Sequence, residues 1–172
     1  MAYPAWAKRF DFNLLERIAV SHGLSPHFVM AVAHAESAGN PFAARYEPDF
    51  RYLTRVDELA KRIHCTKETM AIMQKTSWGL MQVMGSVAYE HGLIDEINWD
   101  RRWPTALSVP AIGLNYGCRH LKLKYEKYGP NLSYVYAAYN AGSPRFDDAG
   151  RFVNQDAVDR VLKFYKELKQ VG

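Results

Sequence analysis

Glu36 closes the run Val29-Met30-Ala31-Val32-Ala33-His34-Ala35-Glu36, directly before Ser37-Ala38-Gly39-Asn40-Pro41. Counting back three, four and seven residues gives Ala33, Val32 and Val29, so a helix through this run points Glu36 toward the apolar side. Gly39 and Asn40-Pro41 predict that the helix stops there, which sets the carboxylate at a helix C-terminus. Partial negative charge at that end and the loss of water both penalise the ionised form, so the pKa is expected to rise. A carboxyl group held protonated near neutral pH is suited to general-acid work.

Two further segments carry chemistry. Gly79-Leu80-Met81-Gln82 pairs a glycine, at which a backbone can approach a ligand, with an amide that both donates and accepts. Tyr139-Asn140-Ala141-Gly142 sets a phenol and an amide at another expected helix end. No metal is expected, because the six histidines never form a paired-ligand motif and His34-Ala35-Glu36 lacks the cysteine half of a zinc deaminase signature. On a helix His34 faces away from Glu36 and is read as packing or solvent-facing. No nucleophile elbow, phosphate loop or dinucleotide fingerprint occurs, so no cofactor is implied.

The elements that must position these residues read as successive short helices. Asp11 or Asn13 caps a helix carrying Leu14, Leu15, Ile18 and Ala19, closed by Gly23. Ser25-Pro26 starts the helix of Glu36. Residues 42–54 lack a helical period and predict a structured loop or short extended segment. Helices follow near 55–64 and near 67–75, the second capped by Thr66. Gly79–Gly85 is a second candidate for extended structure, and Ser86 is expected to cap a short helix ending at Gly92. Trp99 to Pro104 reads as a loop.

The longest helix is expected over 109–128, with Gly113 and Gly117 allowing another helix close approach. Asn131 caps a helix through Ala141, with Leu132, Val135 and Tyr139 on one face. The last helix, about 156–170, turns Val158, Val161, Leu162, Tyr165 and Leu168 inward and Lys163, Lys166 and Lys169 outward. One mainly α domain over 1–172, with a core of about 12–168 and a small β element near 42–54 or 79–85, is the expected fold.

The 172 residues are 48% apolar and 13% aromatic, enough for a real core. The balance of 22 Lys and Arg against 18 Asp and Glu gives +4, with basic residues scattered rather than striped. That argues against a nucleic-acid partner and is compatible with an anionic polymer. Cys65 and Cys118 read as two buried thiols. No apolar stretch is long enough to span a membrane. Met1 to Phe10 lacks the basic-then-apolar order of a signal peptide.

Glu36-Ser37 with Asn40-Pro41, Ser77-Trp78-Gly79-Leu80-Met81-Gln82-Val83-Met84 and Ala137-Ala138-Tyr139-Asn140-Ala141-Gly142, in this order, resemble the soluble lytic transglycosylase family. The resemblance covers about 12–168 and implies a lysozyme-like helical fold. It implies that Glu36 is the single catalytic acid and base and that Tyr139 hydrogen-bonds and positions it. Gln82 and the 77–82 backbone would hold an N-acetylated sugar of the peptidoglycan strand, with Ser77 and Asn140 supporting the cleft wall. Trp78, within the motif, is the foremost candidate to stack on a sugar, ahead of Tyr46, Tyr52, Trp99 and Trp103.

The sequence departs from the shortest family pattern by placing about 35 residues between Pro41 and Ser77. Within them Arg45-Tyr46-Glu47-Pro48-Asp49-Phe50 supplies candidate second acids. Glu47 beside Arg45 is read first as an ion pair, and as a substrate-facing or catalytic carboxylate only second. A second acid would make a hydrolytic muramidase the alternative to a transglycosylase. A non-catalytic wall-binding virion module is the third reading. The 45–50 segment resembles phage-type members, which implies a virion or lysis protein acting on the periplasmic wall.

Overall fold

The computed structural model describes residues 3–171. In chain order these form a 3-10 turn at Ala5–Arg9, helices α1 (Phe12–Ser21) and α2 (Pro26–Ser37), and strand β1 (Ala44–Tyr46). Helices α3 (Val56–Arg62) and α4 (Lys67–Gln74), strands β2 (Thr76–Trp78) and β3 (Val83–Met84), and helix α5 (Gly85–Glu90) follow. Three 3-10 turns at Leu93–Asp95, Trp99–Arg102 and Pro104–Ser108 lead into α6 (Pro110–Tyr128), α7 (Leu132–Ala141) and α8 (Gln155–Lys169). The mainly α class is as expected, and both segments anticipated as extended contribute strands. No helix among the described residues is long and apolar enough to cross a membrane.

The chain packs as two compact units, Met1–Gly39 with Cys118–Gly172, and Asn40–Gly117. In the first, α2 is the central element. Phe28 to Ala33 are six consecutive buried residues, so this helix is covered on all sides rather than along one stripe. Leu15 and Ala19 of α1, Val135 to Ala138 of α7, and Val158, Val161 and Leu168 of α8 complete that core. The helix starts follow from capping. Asp11 accepts from the Leu14 N–H at 3.0 Å, Ser25 accepts from Phe28 with Pro26 in the first turn, and Asn131 accepts from Ser133 and Tyr134. The three lysines of α8 face solvent as expected.

The second unit carries the sheet, in order β1-β2-β3 and antiparallel throughout. Arg45 pairs with Ser77, and Ser77 with Met84. Its core gathers Leu59, Ile63, Met70, Met81, Leu93 and Leu107. Gln74, fully buried, holds residue 54 from both sides: its Nε2 donates to the Thr54 carbonyl and its Oε1 accepts the Thr54 N–H, each at 2.8 Å. A buried amide needs a partner for its oxygen and for its nitrogen, and Thr54 supplies both.

Three local expectations are corrected. Ser86 does not cap a helix; α5 begins at Gly85 with Met84 before it, and the Ser86 hydroxyl is buried without a partner. The start is fixed by packing, since a Cβ on Gly85 would stand 2.2 Å from the Met73 carbonyl oxygen. Residues 99–104 are not a plain loop: Trp99–Arg102 form one 3-10 turn and Pro104 begins a second. Gly113 and Gly117 do allow close approach, but not by another α-helix: a Cβ at 113 would meet the Leu107 carbonyl oxygen of the Pro104–Ser108 3-10 turn at 2.3 Å, and one at 117 would meet the Met81 side chain.

Because the obstacle at Gly113 is backbone, it cannot swing aside. Gly113→Ala is expected to lower stability by about 3 kcal/mol, read as a fall in the urea midpoint; an unchanged midpoint would contradict the packing described.

Candidate active site

The first unit holds the carboxylate. Glu36 is half-buried in the last turn of α2, and Tyr136 of α7 donates its hydroxyl to Glu36 Oε1 at 2.8 Å. Tyr136 is almost fully buried, so its phenol has little freedom to leave that bond. A hydroxyl donated to a carboxyl oxygen in a partly dry site is stronger than the same bond in water.

Tyr139, one turn on, stacks beside it with ring centroids 6.4 Å apart and planes 19° from parallel, and its other side meets the His120 ring at 5.4 Å. Burial, and after it the nearby charge of Glu36, push the Tyr139 hydroxyl well above its ordinary pKa. Cys118 and Tyr136 add to that shift, and burial pushes the Cys118 thiol up to about 12. Tyr139 therefore remains a protonated phenol beside the carboxylate. The family resemblance implies Tyr139 as the phenol bonded to Glu36, whereas the 2.8 Å bond comes from Tyr136. Tyr136 lies three residues earlier, on the same helical face, and that spacing was the available signal for it.

The neighbours of these groups have other work. Asn140 is exposed, and its Oδ1 accepts from Asn154 Nδ2 at 2.9 Å, which ties the end of α7 to the start of α8. His34 is a packing residue: its ring stacks on Trp6 at 4.2 Å and meets Phe164 edge-on at 4.5 Å. Burial first, and then the Arg9 charge, lower its pKa, which keeps it neutral and packed.

In the second unit, Gly79 to Gln82 form the turn joining β2 and β3. The Gln82 N–H donates to the Gly79 carbonyl at 3.2 Å, and both residues have positive φ, 76° and 47°. A left-handed glutamine is costly, and its own amide holds it there. Gln82 Nε2 donates to the carbonyls of Ala43 and Gly79, both at 3.0 Å, while Oε1 accepts the Ser77 hydroxyl at 2.9 Å. Two carbonyl partners fix which end carries the NH2 group. Both amide hydrogens are thus used inside the unit, so Gln82 and Ser77 shape the turn.

Gly79 is required by packing, because a Cβ there would stand 2.1 Å from the Leu107 carbonyl oxygen. Met81 is fully buried against Gly117 and is a core residue rather than a ligand contact. Trp78 is half-buried, with its indole N–H donating to the Met73 carbonyl at 3.2 Å. Tyr46, Tyr52 and Trp99 are the sugar-stacking candidates left exposed. Glu47 forms an ion pair with Arg45, and its N–H donates to the Lys75 carbonyl at 2.9 Å. The ion-pair reading of Glu47 is the one this geometry supports.

Taken by itself, a half-buried carboxyl group with a phenol fixed on one oxygen can give and take a proton at a defined place. A family model described as a transglycosylase SLT domain matches residues 13–159. No curated protein matches the chain.

Tyr136→Phe removes the donor to Glu36 and leaves the ring packing. Turnover of a glycan substrate is expected to fall roughly ten-fold with the fold intact by circular dichroism. Unchanged turnover would show that the bond does not position Glu36.

Proposed function

We propose, for a chain that belongs to the transglycosylase SLT domain family, that Glu36 alone serves as acid and then as base in peptidoglycan cleavage. The family supplies the coarse activity, scission of the peptidoglycan strand. The finer reading is a lytic transglycosylase that cuts the β-1,4 bond between N-acetylmuramic acid and N-acetylglucosamine.

In the first step Glu36 gives its proton to the bridging oxygen, and the bond from that oxygen to C1 of the muramic acid breaks. The C1 centre passes through an oxocarbenium-like state. In the second step the carboxylate takes the proton of the C6 hydroxyl as O6 bonds to C1. A 1,6-anhydro ring closes, Glu36 is protonated again, and no water is consumed. Tyr136 holds the carboxyl group in one place through both transfers, and protonated Tyr139 adds a second phenol beside it. Within the second unit, Gln82 and Ser77 keep the Gly79–Gln82 turn in shape.

The observation that carries this reading is the 2.8 Å bond from Tyr136 to Glu36, which gives one carboxyl group a fixed place at a half-buried helix end. The engagement of Glu47 by Arg45 supports a single-carboxylate route over hydrolysis, since that carboxylate already has a partner in the folded chain.

Mass spectrometry of digested peptidoglycan tests the proposal. Anhydro-muramic ends, one water lighter than hydrolysed ends, are expected throughout. Products bearing only reducing muramic ends would overturn the transglycosylase reading in favour of a muramidase.

A further inference from the structure

The turn that follows Glu36 is left-handed at two successive residues, Ala38 with φ 53° and Gly39 with φ 81°. Glycine takes that conformation freely, whereas alanine meets its own Cβ and must be held. Strain of this kind, two residues from a working carboxylate, raises the question of what holds it.

Three of the contacts that do so are local to the helix end. The Ala38 N–H donates to the His34 carbonyl at 2.9 Å, the Ser37 hydroxyl to the Ala33 carbonyl at 3.1 Å, and the Gly39 N–H to Ser37 Oγ at 3.2 Å. The fourth comes from elsewhere: Arg9 Nη1 donates to the Ala38 carbonyl at 3.2 Å. The same segment is seated on Gly39, where a Cβ would stand 3.2 Å from Arg9 Cβ and 3.4 Å from the Phe10 ring.

That segment is itself anchored. Ala7 is buried, Trp6 stacks on His34 and donates its indole N–H to Glu167 at 3.0 Å, and Phe10 meets His34 edge-on at 6.4 Å. Residues 5–10 precede the stretch that matches the family model, and Glu167 follows it. The family match therefore accounts for the carboxylate but not for this clasp.

We infer that Arg9, with Phe10 against Gly39, is a positioning residue that fixes the Ala38–Gly39 turn and through it the place of Glu36. The inference rests on the role proposed for Glu36 above. Arg9 is exposed and does its work through one hydrogen bond, so removing it leaves the core of the unit in place. With the bond gone, Ala38 is free to relax toward ordinary helical angles, and the last turn of α2 samples more than one arrangement. Misplacement of an acid lowers the rate of proton transfer without changing how the substrate is held.

The test uses Arg9→Ala and Arg9→Lys in the whole chain, with turnover of purified peptidoglycan and amide exchange at residues 37–39 both measured. Arg9→Ala is expected to lower kcat about five-fold at unchanged KM and to speed exchange at those amides. Arg9→Lys, which retains a charged donor, is expected to restore both. A kcat in Arg9→Ala equal to the parent's would overturn the inference, as would equal losses in both variants with no change in exchange. A parent chain inert toward peptidoglycan would count against the proposed function instead, and the exchange rates would then decide Arg9 alone, unchanged rates in Arg9→Ala overturning its role.

Discussion

The bond from Tyr136 to Glu36 constrains where the carboxyl group of Glu36 can sit. It joins α2 to α7 across 100 residues of sequence, and it exists only if both helices are held in register. Asn131 starts α7 at the right residue, the buried run Val135 to Ala138 fixes its rotation, and α2 lies in the middle of its unit with Phe28 to Ala33 covered on every side. The bond thus depends on the core of the whole unit, although it engages a single oxygen of Glu36. The packing of that core does not produce the chemistry; it removes the alternatives to one geometry.

Both segments that carry the proposed chemistry end in a backbone that most residues avoid. Ala38 follows Glu36 at φ 53°, and Gln82 closes the β2–β3 turn at φ 47°. Each is over-determined by side-chain hydrogen bonds, from Ser37 and Arg9 around Ala38 and through the amide of Gln82 itself. Both draw on a distant segment: Gln82 donates to the carbonyl of Ala43, and the carbonyl of Ala38 accepts from Arg9. The bond at Gln82 comes from the strained residue's own side chain, whereas the bond at Ala38 comes from the side chain of the other segment.

Much of this was legible in the sequence, and for identifiable reasons. Caps at Asp11, Ser25, Thr66 and Asn131 announce helices because the side chain and the backbone donors it satisfies are only a few residues apart. The buried face behind Glu36 was readable from its period. What could not be read depends on partners distant in sequence. Gly79 and Gly113 read as sites of close approach, but nothing in the letters says that at both, and at Gly85, a carbonyl from another element occupies the space of the Cβ. Tyr136 was overshadowed by Tyr139 because the family motif begins after it, and Arg9 gave no signal because its partner is a backbone carbonyl 29 residues away.

Whether one carboxyl group does both proton transfers, as proposed, is tested by Glu36→Gln. The amide retains a carbonyl oxygen for the Tyr136 hydroxyl and nearly the same volume, so the fold and the hydrogen bond survive while the acidic proton is lost. This variant, folded as the parent is, is expected to release no soluble fragments from purified peptidoglycan above background. Release at the parent rate would contradict the proposal.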